Sequence, residues 1–389
     1  MGLLNRLLDR RGSADPSGNG SSPSWSPVEL LRPDRLDPFL TDRELRAAFR
    51  VLVDGDWRRL ERFLEVSPRA WMFGPIVTGE IVGMETVMFE RWVDHQRSPR
   101  SRVFLANALI RDAFAERRAA ETRREGPRGG TFPLPPPPSQ PAWESPNGDG
   151  DHVDPDAFWE ERPLDAAIDE WLDDDDRFVT QLNAAEELLY EVISERPAMA
   201  DPWVGLLISG RALQVDLDEL RERFENVHSR DPFRPDGCVQ YLQGLTKKWG
   251  GSNVASFDLA RWLEEESPPA SPARLALPMA HIERGLLQYG PDRLAAYLTQ
   301  PDVAAEVGNG LMRFLQSIPS PAPAEVLGVL NAYVLALPAE SRMNVGLLTD
   351  ALGRIDNRPT EWPWSVFSDD VAAVFAEVQA DQLRLASRH

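Results

Sequence analysis

The residues best suited to chemistry in this 389-residue chain fall in a few short patterns. The first is the acidic run Asp169-Glu-Trp-Leu-Asp-Asp-Asp-Asp176. Carboxylates at Asp-Asp-x-x-Asp spacing on a helix can hold magnesium with a diphosphate substrate. A motif begun at Asp173-Asp174 meets Arg177 where its last Asp belongs, and one begun at Leu172 fails at its first position. The run is therefore expected to be a solvated turn that ends one helix and caps the next near Phe178. A metal-dependent all-α enzyme using Asp173, Asp174, Asp175 and Asp176 is the alternative function. The second pattern, Asn147-Gly-Asp-Gly-Asp151, starts like a calcium loop. Its sixth position holds His152 instead of Gly and its twelfth Phe158 instead of Glu, so an EF-hand fails.

The third pattern is Lys247-Lys-Trp-Gly-Gly-Ser252, which contains both lysines of the chain. Cations at a helix C-terminus favour the dipole, a glycine takes the left-handed cap, and Ser252 can cap the next helix. Lys247, Lys248 and Trp249, together with Trp203, are the candidate partner-binding residues, as a patch for an anion or a protein. Nucleophiles are scarce. Cys238 is the only cysteine and lies among apolar neighbours, which suits a buried inert thiol. His281 shares a helical face with Arg284 and Gln288, and His228 sits near a helix end; neither has a neighbour in sequence that suggests a triad. No phosphate-binding loop, dinucleotide fingerprint, zinc-protease helix or nucleophile elbow occurs, so no catalytic residue, metal or cofactor is expected.

Helices must position these residues. Helical periodicity is dense and β-alternation is absent, which predicts an all-α chain. Residues 1–11 carry Leu3, Leu4, Leu7 and Leu8 on one face with Arg6, Arg10 and Arg11 outside it. Residues 1–27 thus read as a short amphipathic helix and a flexible tether, and a membrane contact is expected only if this helix docks. Residues 28–125 form a small N-terminal helical domain, opened by the capping box Thr41-Asp-Arg-Glu44. Its third helix is expected over 74–96 and includes the small-residue pair Gly79 and Gly83; its fourth spans 102–124. Residues 126–155 hold nine prolines and five glycines and read as a Pro/Gly-rich linker. Residues 156–389 then form an acidic helix-pair repeat domain, with helices expected over 164–172, 178–194, 203–213, 217–227, 235–248 and 253–266, and more to the end. Trp57, Trp71, Trp92, Trp362 and Trp364 are read as filling between helices.

Within this domain Asp201-Pro-Trp203 and Asp231-Pro-Phe233 recur thirty residues apart, each read as a capped helix start. The period is near the roughly 34 residues of a tetratricopeptide repeat. The stretch 228–252, with Phe257-Asp-Leu-Ala-Arg261 after it, resembles bacterial tetratricopeptide-like proteins of unassigned function. These share a Lys-Trp-Gly-Gly-Ser turn followed by a helix bearing Phe-Ala-Arg; here two residues separate Phe257 from Ala260. The resemblance covers residues 200–290 and implies an α-helical hairpin repeat scaffold, with no activity attached.

Charge narrows the partners. Residues 1–128 carry a net of +3 and residues 129–389 a net of −23. Such an acidic second half repels phosphate backbones, so nucleic acid is not an expected partner and a basic protein surface is. One cysteine rules out an intrachain disulfide and a Cys-based zinc cluster. No secretory leader or apolar span is read, and the Arg, Ala, Leu and Pro bias suits a GC-rich bacterial genome, so the expected location is a bacterial cytoplasm. The expected function is a protein-protein interaction or scaffold role, played through an acidic helical-repeat surface.

Overall fold

The computed structural model describes residues 43–67, 70–73, 84–125, 164–339, 342–368 and 370–386. Among these residues every regular element is helical and no strand occurs, so the protein is all-α. No helix among them is long and apolar enough to cross a membrane. The segment 1–27, Thr41 of the capping box, the pair at 79 and 83, the Pro-rich stretch 126–155 and its 147–151 loop lie outside the described residues.

Among the described residues the N-terminal helices include α1 (Arg43–Val53), α2 (Trp57–Val66), α3 (Thr86–His95) and α4 (Pro99–Glu125), and residues 70–73 are helical as well. Leu45, Ala48, Phe49 and Leu52 make the buried stripe of α1, at the spacing that one helical face requires. Gly55 turns the chain with φ +70°, and the Asp56 carboxylate accepts from the Arg59 N–H at 3.2 Å to cap α2. The core between these helices is aromatic. Trp57 stacks on Trp92 at 5.7 Å, and Phe104 of α4 meets the Trp92 edge at 5.3 Å.

α4 has a second buried stripe, Val103, Ala106, Ile110 and Ala113. It packs on Phe178, Leu182, Ala185, Leu189 and Val192 of α5 (Leu164–Glu195), so the helices on either side of segment 126–163 share one core. Arg102 of α4 is buried at this seam and pairs with Glu191 at 3.2 Å and with Glu195. The expected turn at Asp173–Asp176 is absent: α5 runs through it without a break. Aspartate lowers helix propensity by only a few tenths of a kcal/mol per residue, and no Pro or Gly interrupts the run. Asp176 is exposed, and the side chains of 164–175 lie outside the described residues.

Beyond α5 the chain continues as α6 (Asp201–Ala212), α7 (Leu217–Arg230), α8 (Pro235–Gly244), α9 (Asn253–Glu266) and α10 (Ala276–Tyr289). Each packs on the next, and α4, α6, α8 and α10 also pack on one another in turn, forming an inner row. α5, α7 and α9 form an outer row whose members do not pack closely on one another. The Asp-Pro-aromatic recurrence does not mark equivalent positions. Asp201 opens α6, but its carboxylate holds Arg234 of the α8 approach at 3.0 Å in place of capping. Asp231 ends α7, and Phe233 follows in a loop with φ +60°.

The remaining helices are α11 (Pro291–Leu298), α12 (Pro301–Leu315), α13 (Leu327–Ala336), α14 (Arg342–Ile355), α15 (Glu361–Trp364) and α16 (Val371–Ala386). α13 is buried on nearly every side, with α10, α12, α14 and α15 packed on it. Trp364 is fully buried and its indole N–H donates to Asn331 Oδ1 at 2.7 Å, while Asn331 Nδ2 donates to the Leu327 carbonyl at 2.8 Å, so the buried polar groups of both side chains are paired.

Candidate functional site

Because α7 and α9 stand apart over α8, a groove of about 510 Å³ opens between them. Its walls are Leu217 and Arg221 from α7, Tyr241 and Leu245 from the end of α8, and Ala255, Leu259 and Trp262 from α9, with Asp218 and Asp258 at the rim. Asp216 caps α7 by accepting from the Glu219 N–H at 2.8 Å, which sets Leu217 and Asp218 in the first turn, facing out. Tyr241 forms the floor: it stacks on Phe224 at 4.3 Å, and burial raises its phenol pKa above the usual range. Trp262 is held on one side by His228 at 5.4 Å and Phe233 at 5.6 Å. It still shows 37% of its surface, and Leu217 shows 42%.

Large apolar side chains left exposed next to a concavity mark a recognition surface more often than a folding need. The groove's charge is mainly acidic. Arg221 is tied to Asp218 at 2.6 Å, while Asp258 is exposed and Glu225 lies close enough to act on the Tyr241 phenol. Sequence reasoning missed this site because it spans three helices. One signal was available: Val254, Asp258 and Trp262 share a face of α9, while the buried stripe runs through Phe257, Ala260, Leu263 and Glu264.

The residues singled out from sequence sit elsewhere, Trp203 near the start of α6 and the other three after the end of α8. Lys247, Lys248 and Trp249 form a single turn of 3₁₀ helix after α8. Gly250 closes it with φ +88°, and the Ser252 hydroxyl caps α9 by accepting from the Ala255 N–H at 3.1 Å. Gly251 passes so close to the Leu245 carbonyl that a Cβ would collide with backbone. Lys247 is exposed, whereas Lys248 pairs with Glu283 of α10 at 2.8 Å. The Trp249 ring lies under the Arg211 guanidinium at 5.1 Å, and Trp203 is half-buried under Arg230 at 5.2 Å. No ring contact joins Trp203 to Trp249.

His281, without a partner in local sequence, gains two in space. Its Nδ1 lies 2.9 Å from the Tyr297 hydroxyl and its Nε2 lies 3.1 Å from Glu306 Oε2. Arg261 adds a two-pronged pair to the same carboxylate, at 2.8 and 3.3 Å. The His281 hydrogen bond, with Arg261 behind it, holds the Glu306 carboxyl down at about 2. Burial raises the Tyr297 phenol to about 12. His281 and Tyr297 are sealed from solvent, and the chain of contacts joins α9 to α12. Cys238 is buried as well, and burial raises its thiol pKa. Among the described residues no three His, Cys, Asp or Glu side chains converge as metal ligands.

Comparison with protein-family models, with curated proteins and with solved structures gives no match. The site therefore stands on its own geometry.

Proposed function

We propose that this protein recognises or scaffolds another protein through the acidic face of its helical stack, and that the stack is a tetratricopeptide-like array of helix pairs in a bacterial cytoplasm. The observation that carries the reading is the groove between α7 and α9, with Trp262 and Leu217 exposed and Asp218 and Asp258 at its edge. Stacked helix pairs offer elongated surfaces of this kind, and an aromatic anchor in a concavity is the usual centre of binding energy. The partner segment would bring one or two apolar side chains for the groove and Lys or Arg for its rim. Affinity capture from native lysate tests it, with the wild-type chain and W262A as baits at low and high salt. A partner retained by the wild type, lost with W262A and weakened by salt supports the reading. A partner set indifferent to both would refute it.

A further inference from the structure

Among the described residues the buried arginines Arg102, Arg223, Arg234 and Arg274 each face at least one carboxylate. Arg211, at the end of α6, faces none. The acid whose field reaches it is Glu283, and both Glu283 oxygens are already taken, by Lys248 at 2.8 Å and Gln243 at 2.7 Å. Arg211 Nη1 donates to Gln240 Oε1 at 2.9 Å. That leaves the Nε–Nη2 edge, the side of a guanidinium that grips two oxygens in parallel. Nε is buried and has no acceptor. The Trp249 indole Nε1, on the ring that the guanidinium covers, is likewise buried with no acceptor. The Trp92 and Trp203 indole N–H groups are buried without an acceptor too, but here two orphaned donors lie on one stacked pair, which points to a missing acceptor.

Charge says which kind. Arg211, Lys247 and Lys248 against Glu283 leave two positive charges in a half-chain whose net is −23. Burial, opposed only by Glu283, lowers the Arg211 guanidinium to about 10, as expected for a cation without its counter-anion. We infer that Arg211, Trp249 and the lysine turn form a binding site for a phosphate group. A carboxylate brings a single negative charge and leaves one of the two residual positive charges unbalanced. A tetrahedral phosphate supplies two oxygens to that edge and a third to the indole N–H, and as a dianion it balances the two residual charges. Exposed Lys247 draws the anion in. The site is independent of the groove between α7 and α9.

Calorimetric titration of the full chain tests it at constant ionic strength, with inorganic phosphate in one arm and glycerol phosphate in the other. One-to-one binding that chloride does not reproduce, with a shift of the Trp249 indole N–H resonance, is the expected result. Tighter binding of phosphate marks a free-ion site, and tighter binding of the ester marks a site for a phosphorylated small molecule. W249F keeps a ring under the guanidinium and removes one donor, so affinity should fall about tenfold. R211K keeps the charge but not the parallel edge, and should fall at least as far. Thermal unfolding without ligand shows whether each variant is folded; if R211K is not, W249F decides alone. Absence of saturable binding in both arms, or binding unchanged in W249F, overturns the proposal and leaves the donors to buried water.

Discussion

Substituting Glu264 by Gln should unfold the protein far more readily than the size of the change suggests. Glu264 lies on α9 with 4% of its side chain exposed, and Oε1 accepts from Arg274 Nη1 at 2.9 Å and Arg313 Nη2 at 3.0 Å. The Tyr333 hydroxyl approaches the other oxygen at 3.5 Å. Gln keeps the volume and one carbonyl acceptor, so packing is unchanged and the loss is electrostatic. Arg274, itself buried, keeps its donations to the Ser267 and Pro268 carbonyls at 3.0 and 3.2 Å but loses its only anion. Unmasking a buried charge in this way costs about 3–5 kcal/mol. Arg313 is half exposed, so its share is at most about 1 kcal/mol. At about 1–2 °C per kcal/mol for a chain of this size, Tm should fall by roughly 3–10 °C. Urea melts followed by far-UV circular dichroism measure the free energy directly, and E264L/R274M should recover most of the loss by removing both charges together. A loss below about 1 kcal/mol in E264Q would refute the view that Glu264 neutralises a desolvated Arg274.

Other consequences are sharper in sign than in size. Because Glu306 is held down at about 2 against an ordinary 4.5, its stabilising contribution is fully present above pH 4.5 and is lost as pH falls toward 2. E306Q should flatten that part of the stability-pH curve, read from urea melts at stepped pH. In the turn after α8, G251A should cost about 1–3 kcal/mol because the new Cβ meets the Leu245 carbonyl, and backbone yields poorly. G250A meets nothing and should cost only the left-handed conformation, about 1 kcal/mol, so melting the pair side by side separates collision from strain. Cys238 should react with an aromatic disulfide reagent only as fast as the protein opens; reaction at the rate of a free thiol would contradict its burial.

What the sequence showed plainly was whatever depends on neighbours along the chain. The turn at 247–252 is legible in its left-handed glycine and its serine cap, both present, although α8 stops at Gly244 and the lysines sit in a separate 3₁₀ turn and not at its end. The acidic run misled because charge density resembles a turn, while the backbone responds mainly to propensity and to the absence of Pro and Gly. Asp231-Pro-Phe233 misled for the opposite reason: the local motif fits a helix start, but α7 is still ending there and Pro235 begins the next helix. The groove was out of reach because it arises from spacing between helices two apart in sequence. Only the off-stripe position of Trp262 hinted at it. The orphaned donors of Arg211 and Trp249 lie 38 positions apart and meet only once α6 packs on α8.

The distribution of charge links stability to recognition. Arg223 to Glu186 at 2.7 Å, Arg234 to Asp201 at 3.0 Å, Arg261 to Glu306 at 2.8 Å and Arg313 to Glu264 at 3.0 Å each tie one helix to an earlier or later one. These contacts use up cations along the helix seams, so the field left outside is that of the unpaired carboxylates. It destabilises the fold by self-repulsion and, in the function proposed above, would at the same time draw a basic segment toward the groove. Added salt screens both effects, but with opposite signs. It should steady the fold, where repulsion between exposed acids is relieved, and weaken the proposed partner, where attraction is lost. The paired carboxylates at the seams are shielded from this trade because their charges are already neutralised at close range. An acidic exterior and arginine-laced seams are therefore two sides of one arrangement: the fold holds its cations where they join helices and leaves its anions where a partner can meet them.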